Sequence, residues 1–266
     1  MSDSGRMRPR FAELHREGTF LIPNAWDVGS ARLFESLGFE AIATTSSGYA
    51  ATLGRHDQQV SLEELVDHVA SICEAVSIPV SVDAEDGYAV DVEGLVSTVD
   101  ALADAGAAGV SIEDYRRGDG LIGIPAATER VGVYVEAANH HGLIVTARAE
   151  NHLYGVDDLD DTVHRLRSYA SAGAHVVYAP GLVTADDLGQ IVAATDRPVN
   201  ALLLPAGPQV AGMRELGVRR LSTGGALAFV AYGAAARAGR ELMEEGTQRY
   251  VAGALSREDR DRAFGN

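Results

Sequence analysis

Short apolar, β-branched runs alternate with longer stretches of helical periodicity along the whole chain. Residues 20–23, 41–45, 80–83, 109–112, 144–147, 175–179, 199–203 and 219–222 have the near-continuous apolar character of strands buried on both faces. Between them, residues 30–37, 61–76, 92–105, 127–140, 158–171 and 184–194 return an apolar side chain every three or four positions, the pattern of amphipathic helices. Gly38, Gly106, Gly142 and Gly173 stand just past four of these runs, where a helix commonly ends on a left-handed residue. Ser61 with Glu64 three residues on makes a capping box. Eight strand-then-helix repeats without a Pro- or Ser-rich linker predict an α/β fold. The expected form is a single (β/α)8 TIM-type barrel over residues 1–266, with 227–266 as a helical C-terminal tail. A doubly wound sheet fits less well, because Asn24-Ala-Trp26-Asp27 follows the first strand in place of a Gly-rich phosphate loop.

Polar chemistry gathers where these strands end. The third runs into Asp83-Ala-Glu85-Asp86-Gly87-Tyr88, the fourth into Glu113-Asp114-Tyr115, and the fifth into Arg148-Ala-Glu150-Asn151. In a barrel, the loops after the strands share one face, so Asp83, Glu85 and Glu113 are expected to meet there. Clustered carboxylates repel unless a cation sits among them, and hard oxygens without cysteine suit Mg²⁺ or Mn²⁺. The competing reading is that these acids cap helices or pair with Arg148. The planar fork of Arg148 suits a carboxylate or phosphonate, or else an internal ion pair with Glu150 or Glu113. Asp86 and Asp114 read as outer partners or helix caps. Thr44-Thr-Ser46-Ser47-Gly48-Tyr49 reads as a turn of small residues, whose amides either receive an oxyanion or simply close the turn. Asp57 adds an acid able to reach a metal through water. His56, His152, Tyr49, Tyr88 and Tyr115 are candidate proton carriers, and none stands out.

Charge and composition narrow the partners. With 38 acidic against 22 basic residues, the formal charge is −16, which argues against nucleic acid or an anionic membrane as partner. No apolar run approaches the roughly 18 residues of a membrane span. The first ten residues are polar and carry arginine, unlike a signal peptide, so a cytoplasmic protein is expected. The chain has no lysine, and all 22 basic residues are arginines, which excludes Schiff-base chemistry through lysine. Cys73 is the only cysteine; it lies in a helical run and reads as a buried structural thiol.

Assembled, these motifs resemble the isocitrate lyase/phosphoenolpyruvate mutase superfamily. The likeness runs from Pro23-Asn-Ala-Trp-Asp27, through the Thr-Ser-Ser-Gly segment, the Gly-x-x-Asp ending at Asp57, Asp83-Ala-Glu85-Asp86-Gly-Tyr, Ile-Glu113-Asp114 and Arg148, to Ser222-Thr-Gly-Gly-Ala226. The resemblance implies a (β/α)8 barrel whose C-terminal helix exchanges between subunits of a homotetramer, a dimer of dimers. It implies Mg²⁺ held by Asp83, Glu85 and Glu113, largely through waters, with Asp57 behind them. It implies a pyruvate-like unit held by Arg148 and the Ser46, Ser47, Gly48 and Tyr49 segment, with Asn200 facing the substrate. There are departures. The usual Asp-x-Asp is Asp83-x-Glu85, and Pro180-Gly181 stands in place of a Pro-Glu. The Lys-Cys-Gly-His loop of the isocitrate and methylisocitrate lyases is replaced by residues 115–124, which hold no Lys, Cys or His. Proton transfer would then fall to Tyr115, Asp119 or water. The implied activity is Mg²⁺-dependent C–C cleavage or decarboxylation of a small 2-oxo or 2-hydroxy dicarboxylate through a pyruvate-like enolate, with little cleavage of isocitrate. P–C bond chemistry, or anion binding without turnover, is the alternative.

Overall fold

The first barrel strand is broken by its own sequence. In the computed structural model, which describes residues 4–265, helix α1 (Ser4–Leu14) leads into β1 (Phe20–Ile22) and then β2 (Asn24–Ala25). Pro23 between them has no N–H to donate, and its carbonyl accepts from Ala43 N at 3.0 Å. There follow α2 (Val28–Ser36), β3 (Ile42–Thr44), α3 (Ser46–Thr52), α4 (Leu62–Ala75), β4 (Val80–Val82), α5 (Val92–Asp104) and β5 (Gly109–Glu113). A small hairpin, β6 (Tyr115–Arg116) and β7 (Gly120–Leu121), precedes α6 (Ile124–His141). The chain continues through β8 (Ile144–Arg148), α7 (Leu159–Ser171), β9 (Val176–Tyr178), α8 (Ala185–Ala194), β10 (Val199–Leu202), α9 (Val210–Glu215) and β11 (Arg220–Ser222). It ends with α10 (Ala226–Glu244), a 3₁₀ turn (Arg249–Gly253) and α11 (Arg257–Phe264).

The nine strands of the main sheet run β1-β11-β10-β9-β8-β5-β4-β3-β2, all parallel. The two ends of that order are β1 and β2, which are joined through Pro23, so the sheet closes on itself as a TIM-type barrel. Side chains alternate across each strand. Val82, Val110, Ile112, Val145 and Ala147 belong to the main apolar core, together with Leu95, Val99, Leu102, Val131, Tyr134 and Leu166 from the surrounding helices. Each of the valines, leucines and isoleucine among them contributes about 1.5–3 kcal/mol on burial. The intervening positions, Ser81, Asp83, Ser111, Thr146 and Arg148, line an internal pocket. At the N-terminal ends of the strands, Phe11 of α1 is fully buried with Phe20, Ile22, Ala41, Ala43 and Ala108.

The eight expected strands are present, and the Ser61–Glu64 capping box forms. Several elements differ from expectation. Residues 46–52 are helical where a turn is read from the sequence, because the Thr45 side chain caps Gly48 N at 3.3 Å. Helices α1 and α9 and the β6–β7 hairpin are not marked by apolar periodicity. Residues 226–244 are helical as expected, but only Ala228 of α10 is buried; Phe229, Val230, Tyr232 and Met243 are exposed. Among the described residues no helix is long and apolar enough to cross a membrane.

Candidate active site

A pocket of about 210 Å³ opens at the C-terminal ends of the barrel strands. Its wall includes Asn24, Thr44, Ser46, Ser47, Asp57, Asp83, Arg148, Tyr178, Asn200 and Ser222, with Ser81, Ser111, Thr146 and Arg220 lining it from within the strands. Most ligand pockets are larger, about 300–1,000 Å³, so this one suits a small metabolite.

Asp83 is the hub. Its Oδ2 accepts from Ser46 N and Ser46 Oγ, each at 3.0 Å, while its Oδ1 lies 2.7 Å from Arg148 Nη1. Arg148 is shared further: Nη2 is 3.2 Å from Glu113 and Nε is 2.7 Å from Glu150. Three carboxylates thus surround one guanidinium, and each of the ion-pair partners weighed for Arg148 from the sequence, Asp83, Glu113 and Glu150, is present. The charge balance leaves its mark on titration. Burial and then the charge of Asp83 push the Glu85 carboxyl up to about 8. Burial also holds Glu113 well above the ordinary range, against the pull of Arg148. Asp57, exposed at the mouth, is raised by partial desolvation of its carboxyl and then by Asp83. The acids outnumber the cation.

The loop after β4 is held under strain. Glu85, Gly87 and Tyr88 adopt φ of 46°, 85° and 56°, a left-handed region costly for the two residues with side chains. At Gly87 a Cβ would also come within 2.6 Å of Leu95 Cδ2, so glycine is required there. Arg116 Nε pairs with Asp86 at 2.8 Å, and Arg130 donates to the carbonyls of Asp86, Ala89 and Val90. The loop that replaces the Lys-Cys-Gly-His segment therefore contributes an arginine that clamps the acidic loop. Asp86 is its partner, and Asp114 is anchored to Arg165 at 2.9 Å; neither caps a helix.

Of the residues singled out by sequence, Ser46, Ser47, Asp57, Asp83, Arg148 and Asn200 line one pocket. Glu85 and Glu113 lie buried beside it; Tyr88 Oη donates to Glu85 at 3.0 Å, and Gln58 Nε2 to Glu113 at 3.4 Å. Gly48 packs away from the pocket, with Trp26, Thr45 and Ala228 around the place of a Cβ. Tyr49 stacks on His68 at 3.7 Å, and Tyr115 stacks on Tyr154 at 3.3 Å; neither lines the pocket. Among the described residues, no three Asp, Glu, His or Cys side chains converge as direct metal ligands. The surplus of acids around Asp83, with raised carboxyl groups beside it, nonetheless fits a divalent cation held largely through water. Asn24, Ser81, Ser111, Thr146, Tyr178, Arg220 and Ser222 complete the lining unforeseen. The signal for three of them was available: Ser81, Ser111 and Thr146 stand two residues before Asp83, Glu113 and Arg148, on the same strand face.

The sequence profile described as phosphoenolpyruvate phosphomutase matches residues 11–243. An uncharacterised protein of Mycobacterium tuberculosis strain H37Rv is 34% identical over 88% of this chain and 89% of its own. An oxaloacetate decarboxylase of Bradyrhizobium sp. strain BTAi1 is 31% identical over 66% of this chain and 63% of its own. Among solved structures, one from Burkholderia cenocepacia J2315, described as a lyase or mutase, superposes with a TM-score of 0.95. It is 40% identical and covers 100% of this chain and 98% of its own.

Proposed function

This chain belongs to the phosphoenolpyruvate phosphomutase family, a group of lyases and mutases, and from that premise we propose a Mg²⁺-dependent lyase or decarboxylase that breaks a C–C bond in a small 2-oxo or 2-hydroxy dicarboxylate. The observation that carries this reading is the surplus of carboxylates around Asp83, balanced by Arg148 alone, in a pocket of small-metabolite size. Asp83 would hold the cation, with Glu85, Glu113 and Asp57 around it, largely through water; Mn²⁺ has the same ligand preference. Once bound, Mg²⁺ supplies a Lewis acid that stabilises enolate-type charge on a chelating substrate.

The chain's own residues do the rest. Arg148 aligns Asp83, Glu113 and Glu150 in one plane, while Ser46 fixes the far oxygen of Asp83. Asn200 and Tyr178 close the side of the pocket opposite Asp57 in the barrel order. Asp57 lies on the pocket wall and is exposed to solvent, so it is placed to exchange a proton between an incoming ligand and bulk water. The similarity to an oxaloacetate decarboxylase supports C–C chemistry. The apolar residues left exposed along α10 support assembly through that helix, as a homotetramer with exchanged helices.

The test is a panel of 2-oxo and 2-hydroxy diacids, screened by thermal shift with and without Mg²⁺ and then for pyruvate formation. A ligand of the folded state raises the midpoint by mass action. Mg²⁺-dependent stabilisation and turnover by at least one diacid is the expected result. Binding without turnover would leave an anion-binding family member, and indifference to every diacid would refute the reading.

A further inference from the structure

Two arginines reach this pocket, and their surroundings are opposite. Arg148 touches three carboxyl groups, so its Nη1, Nη2 and Nε are already engaged when an anion arrives. Arg220 projects from β11 into the lumen and is 5% exposed. Its Nη1 donates to Thr146 Oγ1 at 3.0 Å and its Nη2 to Ser81 Oγ at 3.3 Å, both neutral hydroxyls. Its Nε has no partner among the described residues. Guanidinium carries five N–H groups, so most of its donor capacity is unspent. The ring of Phe11 lies 5.9 Å away and offers no formal charge. Beside Arg220 in register, Asn200 is 2% exposed; it donates to Ser222 Oγ at 3.0 Å and leaves its Oδ1 unpartnered.

A buried cation without a counter-ion is costly, and the cost falls when an anion arrives. Nothing in the fold requires it: the lumen of such barrels is ordinarily filled by branched apolar side chains. We infer that the pocket floor is an anion subsite centred on Arg220, which takes one carboxylate of the substrate while its other end lies toward Asp83. The unpartnered Oδ1 of Asn200 would accept from a hydroxyl or a protonated group on the same ligand. This rests on the diacid reading for the identity of the ligand, but the subsite itself requires only an anion. Desolvation lowers the guanidinium to about 10, still charged at neutral pH.

The experiment uses malonate as an inert dicarboxylate and acetate as its monoacid control, titrated calorimetrically into the full chain without metal at low salt. Wild type should bind both anions, because one carboxylate is enough to fill the subsite. Arg220→Gln, neutral but still able to bond the two hydroxyls, should weaken malonate by at least about tenfold, since charge-assisted hydrogen bonds are the strong ones. Arg220→Lys, which keeps the charge, should fall between, and it carries the test if the glutamine variant does not fold. Added potassium chloride should weaken malonate binding to wild type more than to Arg220→Gln, a difference that a merely structural role would not produce. Malonate affinity equal across all three proteins, or no anion binding by folded wild type, overturns the subsite. Diacid turnover by wild type is measured separately. Its absence alongside Arg220-dependent malonate binding would refute the lyase reading and uphold the subsite.

Discussion

Replacing Asp114 by asparagine should destabilise the barrel by about 3 kcal/mol without changing its shape. Asp114 is 2% exposed, and its two oxygens serve different elements. Oδ2 accepts from Arg165 Nη1 at 2.9 Å and from the Tyr169 hydroxyl, both on α7. Oδ1 accepts from Glu150 N at 2.8 Å, in the loop after β8. Asparagine keeps the volume but offers one acceptor oxygen and, in place of the other, an NH₂ group that can only donate. Either Arg165 and Tyr169, or Glu150 N, must then face an N–H, which leaves a buried donor unsatisfied at about 1–3 kcal/mol. Loss of the charge adds to this. Breaking a buried ion pair costs about 3–5 kcal/mol, but Arg165 retains Asp161 at 2.6 Å and the Ile122 carbonyl at 2.8 Å, which limits the loss. Urea unfolding followed by circular dichroism reads the difference. A double-mutant cycle with Arg165→Met should show a coupling of about 1–3 kcal/mol. A loss below about 1 kcal/mol, or no coupling, would refute the claim that Asp114 ties β5 to α7.

Arg148→Met leaves Asp83, Glu113 and Glu150 facing one another, and a loss of about 3–5 kcal/mol at neutral pH is expected from urea unfolding; wild-type stability would show the network to be dispensable. Gly48→Ala places a methyl 2.5 Å from Thr45 Cγ2 and 2.9 Å from Trp26 Cβ, so overpacking of about 1–3 kcal/mol should lower the melting temperature, and an unchanged value would contradict the packing of α3 on the barrel. Burial, and then Arg220, lower the His15 imidazole to about 3 from 6.5, so the folded state stays neutral while the unfolded chain takes up the proton. Stability is therefore full above pH 6.5 and falls by about 1.4 kcal/mol per unit below it, and His15→Phe should show a shallower slope between pH 6.5 and 5 than wild type.

The barrel was legible because its outer contacts are local in sequence. The runs at 80–83 and 109–112 become Val80–Val82 and Gly109–Glu113, since β-branched residues before a turn leave little choice of element. What escaped depends on distant partners. Helix α1 shows no strong apolar face, yet Arg8 donates to the carbonyls of Ala103, Ala107 and His141, and Phe11 is fully buried at the strand N-termini. Residues 46–52 look like a turn because serine and glycine are weak helix formers, but Asp83 holds the first amide of that helix from another strand end. At the site, Asp57, Asp83, Arg148, Ser46 and Ser47 line one pocket, together with Asn200, which only the family resemblance singles out. Gly48, Tyr49 and Tyr115 lie off that lining, because a side chain's direction depends on packing that spacing does not encode. Arg220 lies in the run 219–222, which is read only as a strand and to which no site role is assigned.

That oversight sets up the sharpest contrast between the two pocket arginines. Arg148 is half-buried and Arg220 buried, but only Arg148 forms ion pairs among the described residues, so removing the two cations should have different consequences. Arg220→Met keeps most of the side chain's length and removes a desolvated cation that, among the described residues, bonds only neutral hydroxyls and feels Asp83 at a distance. Two hydrogen bonds to Ser81 and Thr146 are lost, each about 1.5–3 kcal/mol to a charged donor, while several kcal/mol of ion desolvation is recovered. The two nearly cancel, and buried ions replaced by apolar residues of similar size often leave a protein unchanged or more stable by about 1–4 kcal/mol. Arg220→Met should therefore unfold within about 1 kcal/mol of wild type, or above it, in the urea experiment that shows Arg148→Met several kcal/mol below. A loss above about 3 kcal/mol would make Arg220 a structural element of the lumen, and the reason for its burial would lie in folding instead of ligand recognition.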